Sequence, residues 1–195
     1  MVNNLHIIKS MLNFSVKDDF YFGQIFKRRK DNIEMDRDQI IIDSFYIDSL
    51  EDYDKKLPYV INLCNMENAR AYLRINKRNY NVLAKHMLKK VVDIVFTENC
   101  KALRNCFNSV AGEFHSDPDK KWIIDIDNDK NIVFKDLSDF LIELQIDAKK
   151  EPMIIQIPTK NGSHIITRPF NLHQFKTRFS NIDVHKDNCT LLYCP

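Results

Sequence analysis

Residues 122–129 read Trp122-Ile123-Ile124-Asp125-Ile126-Asp127-Asn128-Asp129. An apolar run passes into alternating carboxylates and then into a wholly polar turn. A period of two builds a strand, with Asp125 and Asp127 on one face and Trp122, Ile124 and Ile126 on the other. Carboxylates held side by side repel unless a cation lies between them. Hard oxygen donors at this spacing suit Mg2+ or Mn2+, ions that also bind waters and substrate phosphates. A polar strand end entering an acidic turn explains a lone D-x-D equally well. The apolar strand that presents this one favours a built site.

Downstream, Asp136 is placed to cap a helix carrying Leu137, Phe140, Leu141 and Leu144 on one face. A strand over 153–157 leads through Pro158-Thr159-Lys160-Asn161-Gly162 into another over 164–167. Asn171 caps a helix with Leu172, Phe175 and Phe179 on one face, and 190–193 forms a last strand. The order from Trp122 is β-α-β-β-α-β, also found in RNA-recognition folds. In that topology the first and third strands are central antiparallel neighbours, and the fourth flanks the first. The end of the first strand then lies beside the starts of the third and fourth. Asp125 and Asp127, His164, and Asp183 or Asp187 thus come to one end of one sheet. Backbone amides of the Lys160-Asn161-Gly162 turn and the Lys160 ammonium are placed to meet phosphate oxygens, and His164 to donate to one. An ordinary hairpin turn and a polar strand residue are the plainer alternatives.

Upstream, a short helix is expected from Leu5 to Leu12, and strands over 20–26 and 40–47, the second apolar enough to imply burial. Ser49 with Asp52 starts a helix toward Met66, which Pro58 is expected to break or begin. Arg70 to Ile75 reads as a strand. Tyr80, Leu83, Ala84, Met87, Leu88, Val91 and Val95 follow helical spacing, and a further helical piece covers 98–110. The reading is an α+β chain: an N-terminal α/β lobe (1–115) packed on a C-terminal RRM-like lobe (116–195). Arg70 and Arg74 share strand parity and Lys77 and Arg78 follow, predicting a basic cluster suited to phosphate groups. A solvated basic edge is the alternative.

The bulk numbers agree with one globular unit of 195 residues, 44% apolar and 29% charged, with only three Gly. A net charge of +2 confines any nucleic-acid contact to a local patch. Five Cys with no C-x-x-C pair give neither a disulfide framework nor a zinc site, so free thiols are expected. No apolar run approaches the roughly 18–20 residues that span a bilayer. The first residues lack a secretory pattern, so a cytoplasmic protein without membrane association is expected.

With these residues in hand, the chain resembles the archaeo-eukaryotic primase and primase-polymerase superfamily. Trp122-Ile123-Ile124-Asp125-Ile126-Asp127 matches its first motif, an apolar run ending in D-x-D. Thr159-Lys160-Asn161-Gly162-Ser163-His164 is similar to its second, commonly S-x-H, with Gly162 in the place of the Ser and Ser163 one position on. Ile182-Asp183 is similar to its third, an acidic residue after a hydrophobic one, and Asp187 is the other candidate. The resemblance covers about Arg70 to the C-terminus. It implies a metal-dependent nucleotidyltransferase that extends or starts a DNA or RNA strand on a single-stranded template. Asp125, Asp127 and Asp183 would hold Mg2+ or Mn2+, and His164, Lys160 and Ser163 would hold a nucleoside triphosphate. It also implies helicase or replication proteins as partners, and a virus or mobile element as a fitting source. The competing readings are an RRM-like nucleic-acid-binding module without catalysis, which predicts aromatic side chains at the sheet centre, a nuclease on the same scaffold, and a catalytically degenerate interaction protein.

Overall fold

The computed structural model describes residues 1–128, 132–146 and 152–195; Asp129 of the acidic turn lies outside them. The elements in chain order are β1 (Val2–Asn3), α1 (Leu5–Met11), β2 (Asp19–Arg28), β3 (Gln39–Ile47), α2 (Leu50–Glu67), β4 (Arg70–Arg74), β5 (Arg78–Asn79), α3 (Tyr80–Phe96), a 3-10 turn (Cys100–Asn105), α4 (Cys106–Glu113), β6 (Trp122–Asp127), α5 (Phe134–Glu143), β7 (Ile154–Pro158), β8 (Gly162–Thr167), α6 (Leu172–Arg178), β9 (Asp183–His185) and β10 (Cys189–Cys194). The fold is mixed α+β, built on two antiparallel sheets.

The large sheet runs β1-β10-β4-β2-β3, with β5 paired to β2; the small sheet runs β7-β8-β6-β9. β6 and β8 are neighbours, as the sequence implies, but the strand flanking β6 is Asp183–His185. The segment expected there, 190–193, belongs to β10 and lies between β1 and β4 in the large sheet. The boundary drawn at residue 115 therefore does not separate the sheets, because the end of the chain returns to complete the first.

Alternation in β2 explains the two layers around the large sheet. Tyr21 and Ile25 pack with Tyr53, Val60 and Cys64 of α2, while Phe20 and Phe22 point the other way to Leu83 of α3 and Val110 of α4. At Gly23 an added Cβ would lie 2.2 Å from the Phe45 ring, so only glycine lets that ring lie against β2. The small sheet joins the α2 side: Ile123, Ile157 and Ile166 share a core with Ala71, Leu73 and Leu192. Its other face carries Ile124 and Ile165, covered by Leu137 and Leu141 of α5 and Phe175 of α6. Each such aliphatic side chain contributes about 1.5–3 kcal/mol when fully buried.

Two buried asparagines tie the layers. Asn4 Nδ2 donates to Pro158 O at 2.8 Å and to Leu191 O at 2.9 Å. Asn76 accepts from Lys121 N at 2.7 Å and donates to Lys121 O at 2.9 Å.

Local signals mostly act as their chemistry dictates. Ser49 caps α2, accepting from Asp52 N at 3.0 Å, and Asn171 caps α6, accepting from Gln174 N at 3.1 Å. Pro58 does not break α2: the helix runs through it, and its exposed side leaves the carbonyl freed by the missing N–H to water. Asp136 is not a cap, since α5 begins two residues earlier with Val133 at the N-cap; it lies in the first turn, where its charge suits the helix dipole. The apolar start of β3 is not buried either, Ile40 and Ile41 being 42% and 54% exposed at the sheet edge. Among the described residues, no helix is long and apolar enough to cross a membrane.

Candidate active site

The register of the small sheet builds the site. Asp125 stands opposite His164 of β8 on one side and opposite Asp183 of β9 on the other, and Asp127 stands opposite Gly162. Trp122, Ile124 and Ile126 pack toward α5 and α6, so Asp125 and Asp127 share the face of Ile123, which looks toward the large sheet. His164 shares that face with Ile166. Asp183 and His185 share it because the intervening Val184 packs toward the helices. Three strands thus deliver Asp125, Asp127, His164, Asp183 and His185 to one end of one face.

Exposure grades outward from the sheet interface. The His164 side chain is 13% exposed and that of Asp125 40%, while Asp127 and Asp183 are exposed. His164 Nε2 lies 3.5 Å from Asp125 Oδ1, and its Nδ1 lies 2.9 Å from Thr190 Oγ1 on β10. Burial pushes the His164 pKa below its ordinary value; the nearby His185 adds to this, and Asp125 and Asp127 oppose it. The shift favours the neutral ring, which has one nitrogen to donate and one to accept.

Position 162 is glycine for a steric reason. A Cβ there would lie 2.0 Å from the Ile126 carbonyl oxygen and 2.9 Å from Asp127 Cα. The backbones of β6 and β8 meet too closely at this point for any side chain. Asn128 N donates to Asn161 O at 2.9 Å, pinning the end of β6 to the turn.

Other expected site residues fall elsewhere. Ser163 stands opposite Ile126, on the helix side of the sheet, where Gln156 Nε2 donates to its hydroxyl at 3.2 Å. The Ser163 hydroxyl and the His164 ring therefore leave β8 on opposite faces of the sheet. Lys160 lies at the turn but pairs with Asp31 of the β2–β3 connection, which also accepts from Arg70 Nε at 2.7 Å and Nη2 at 2.8 Å. Asp187 accepts from Arg78 Nη2 at 2.7 Å and from Asn76 Nδ2 at 3.1 Å, with Arg74 3.6 Å away. It is committed to those cations, leaving Asp183 in register with Asp125.

The basic cluster is a correction. Arg70, Arg74, Lys77 and Arg78 do not form one open face: Arg70 is held by Asp31, Lys77 by Asp19 at 2.7 Å, and Arg74 and Arg78 by Asp187. Arg70, Lys77 and Arg78 are buried. Buried cations must be paired, and these carboxylates come from distant parts of the chain. Lys77, with Lys121 and Tyr21, lines a groove of about 800 Å³ that opens where β6 starts, at the far end from Asp127.

The sequence places His185 near this end of the sheet without giving it a role, and it does not single out Thr190. Asp183-Val184-His185 alternates as Asp125-Ile126-Asp127 does, which is a legible signal for His185. Nothing in the sequence marks Thr190, whose part depends on how the two sheets dock.

No protein-family model, curated protein or solved structure matches this chain. The likeness to primase-polymerases rests on the motif residues alone. The oxygen donors of Asp125, Asp127 and Asp183 fit Mg2+ or Mn2+ in kind. Among the described residues, no group of three His, Cys, Asp or Glu side chains stands close enough to hold a metal ion as placed.

Proposed function

We propose that the chain is a metal-dependent nucleotidyltransferase of primase-polymerase type, acting on a nucleoside triphosphate and a single-stranded template. The observation that supports this most is the register at Asp125, which sets an imidazole on one side and a second carboxylate on the other, at the open end of a sheet. Asp125, Asp127 and Asp183 would hold the divalent ion, whose chemistry is to activate a hydroxyl and stabilise a pyrophosphate leaving group. His164 Nε2 donates to a phosphate oxygen of the triphosphate. Lys160 supplies positive charge at the adjoining turn once a phosphate competes with Asp31.

The carboxylates must converge to take the ion, so metal binding itself is the first thing to measure. Against a simple RRM-like binding module, the face of the small sheet that would stack bases is covered by the large sheet through Ile123, Ile157 and Ile166. The test pairs two assays on the parent and on Asp125→Asn with Asp127→Asn. The parent should melt higher with Mn2+ plus a nucleoside triphosphate, because a ligand of the folded state stabilises it. It should also extend a primer on a single-stranded template, and the variant should lose both responses. A parent with neither response, across varied templates and nucleotides, overturns the proposal; metal-dependent loss of a labelled strand would replace it with a nuclease.

A further inference from the structure

We infer that Thr190 is a positioning residue for this site, fixing from the large sheet the tautomer and ring orientation of His164. The inference deepens the nucleotidyltransferase reading but stands on a contact of its own.

The contact is His164 Nδ1 to Thr190 Oγ1 at 2.9 Å, and Thr190 is fully buried. The opposite nitrogen, Nε2, faces Asp125 Oδ1 at 3.5 Å. A carboxylate only accepts, so the proton of a neutral ring belongs on Nε2, and Nδ1 is left as the acceptor. The Thr190 hydroxyl can rotate to donate to it. The result is a ring with Nε2–H aimed at Asp125 and at whatever anion enters beside it.

Threonine suits this task better than serine. Its β-branch restricts χ1, so Oγ1 holds one direction on the strand. Thr190 stands opposite Leu73 on β4, deep in the large sheet, while His164 belongs to the small one. The orientation of His164 is thus set across the interface between the sheets. Second partners of this kind commonly fix which nitrogen of a histidine is presented to a site.

The test uses the full chain with 15N-labelled histidine, and Thr190→Val and Thr190→Ser variants. Nitrogen spectra of the parent should give His164 a protonated Nε2 and an unprotonated Nδ1. Thr190→Val keeps the shape but removes the donor, and should yield mixed tautomers; Thr190→Ser should keep most of the parent pattern. In nucleotide incorporation, Thr190→Val should raise KM for the triphosphate about tenfold with kcat within about twofold, the mark of a lost ground-state contact. Thr190→Ser should recover most of that. A parent ring protonated on Nδ1, or with averaged tautomers, overturns the inference even if neither variant folds. An unchanged spectrum and KM in Thr190→Val overturns it too. If the parent incorporates no nucleotide, the functional proposal fails, while the nitrogen spectra still decide the role of Thr190.

Discussion

Arg78 donates from Nη2 to Asp187 Oδ2 at 2.7 Å with its own side chain wholly buried. Arg74 approaches the same carboxylate at 3.6 Å. Two cations on one carboxylate make Asp187 structural, whereas Asp183, four residues earlier, is exposed and lies in register with Asp125. Asp187→Ala should therefore cost about 3–5 kcal/mol, the usual result of leaving a buried charge without its partner. Asp183→Asn should change stability little. Urea unfolding of both variants checks the contrast; equal, small effects would remove the distinction between the two aspartates.

Gly162→Ala tests the close approach of β6 and β8. The new methyl would meet the Ile126 carbonyl and Asp127 Cα, which are backbone atoms that cannot swing aside. The strands must part at the site end, at a cost of about 1–3 kcal/mol as in other overpacked positions. Melting should fall, and any metal-induced shift should shrink because Asp127 moves with its backbone. A variant that melts like the parent would mean that the turn adapts without strain.

Much of the small sheet was legible because its signals are local. The alternation at Trp122–Asp127 assigned both faces of β6 correctly, and the turn before His164 located β8. What failed depends on partners. β9 is only three residues long and mostly polar, so its alternation was too short to compete with the apolar β10, which looked like the missing strand. An apolar run reports burial, not which sheet supplies it. In the same way, Arg70, Lys77 and Arg78 read as surface charge because sequence parity says nothing of Asp31, Asp19 or Asp187, which reach them from afar.

The Asp31 carboxylate makes acid stability predictable. Burial alone would raise its pKa, but hydrogen bonds from Arg70 and then Lys160 outweigh burial and hold it below the ordinary value. A carboxyl whose pKa is lower in the folded state adds stability above the unfolded value of about 4, and that stability is lost as pH falls through the folded value. Asp31→Asn should thus be less stable than the parent at pH 7, with the gap closing below about pH 4. Urea titrations at pH 7 and pH 3 measure it; a gap independent of pH would mean that the charge of Asp31 is not what matters.

Lys160 separates a structural tie from a ligand contact. It shares Asp31 with Arg70, yet its side chain is 46% exposed, while that of Arg70 is 7% exposed. The two hydrogen bonds from Arg70 keep Asp31 satisfied without it. Lys160→Met should consequently cost no more than about 1 kcal/mol, because the lysine end of the pair is open to water. If the ammonium also meets triphosphate oxygens, the same variant should bind nucleotide about tenfold more weakly, the worth of one charged hydrogen bond. Its binding should also depend less on salt, because one charge has left a partly exposed site. Calorimetric titration with Mn2+ and a nucleoside triphosphate, at low and moderate salt, reads both effects beside the melting temperature. Weaker, less salt-dependent binding with unchanged melting assigns Lys160 to the ligand. Unchanged binding assigns it to Asp31 alone and leaves His164 as the phosphate contact.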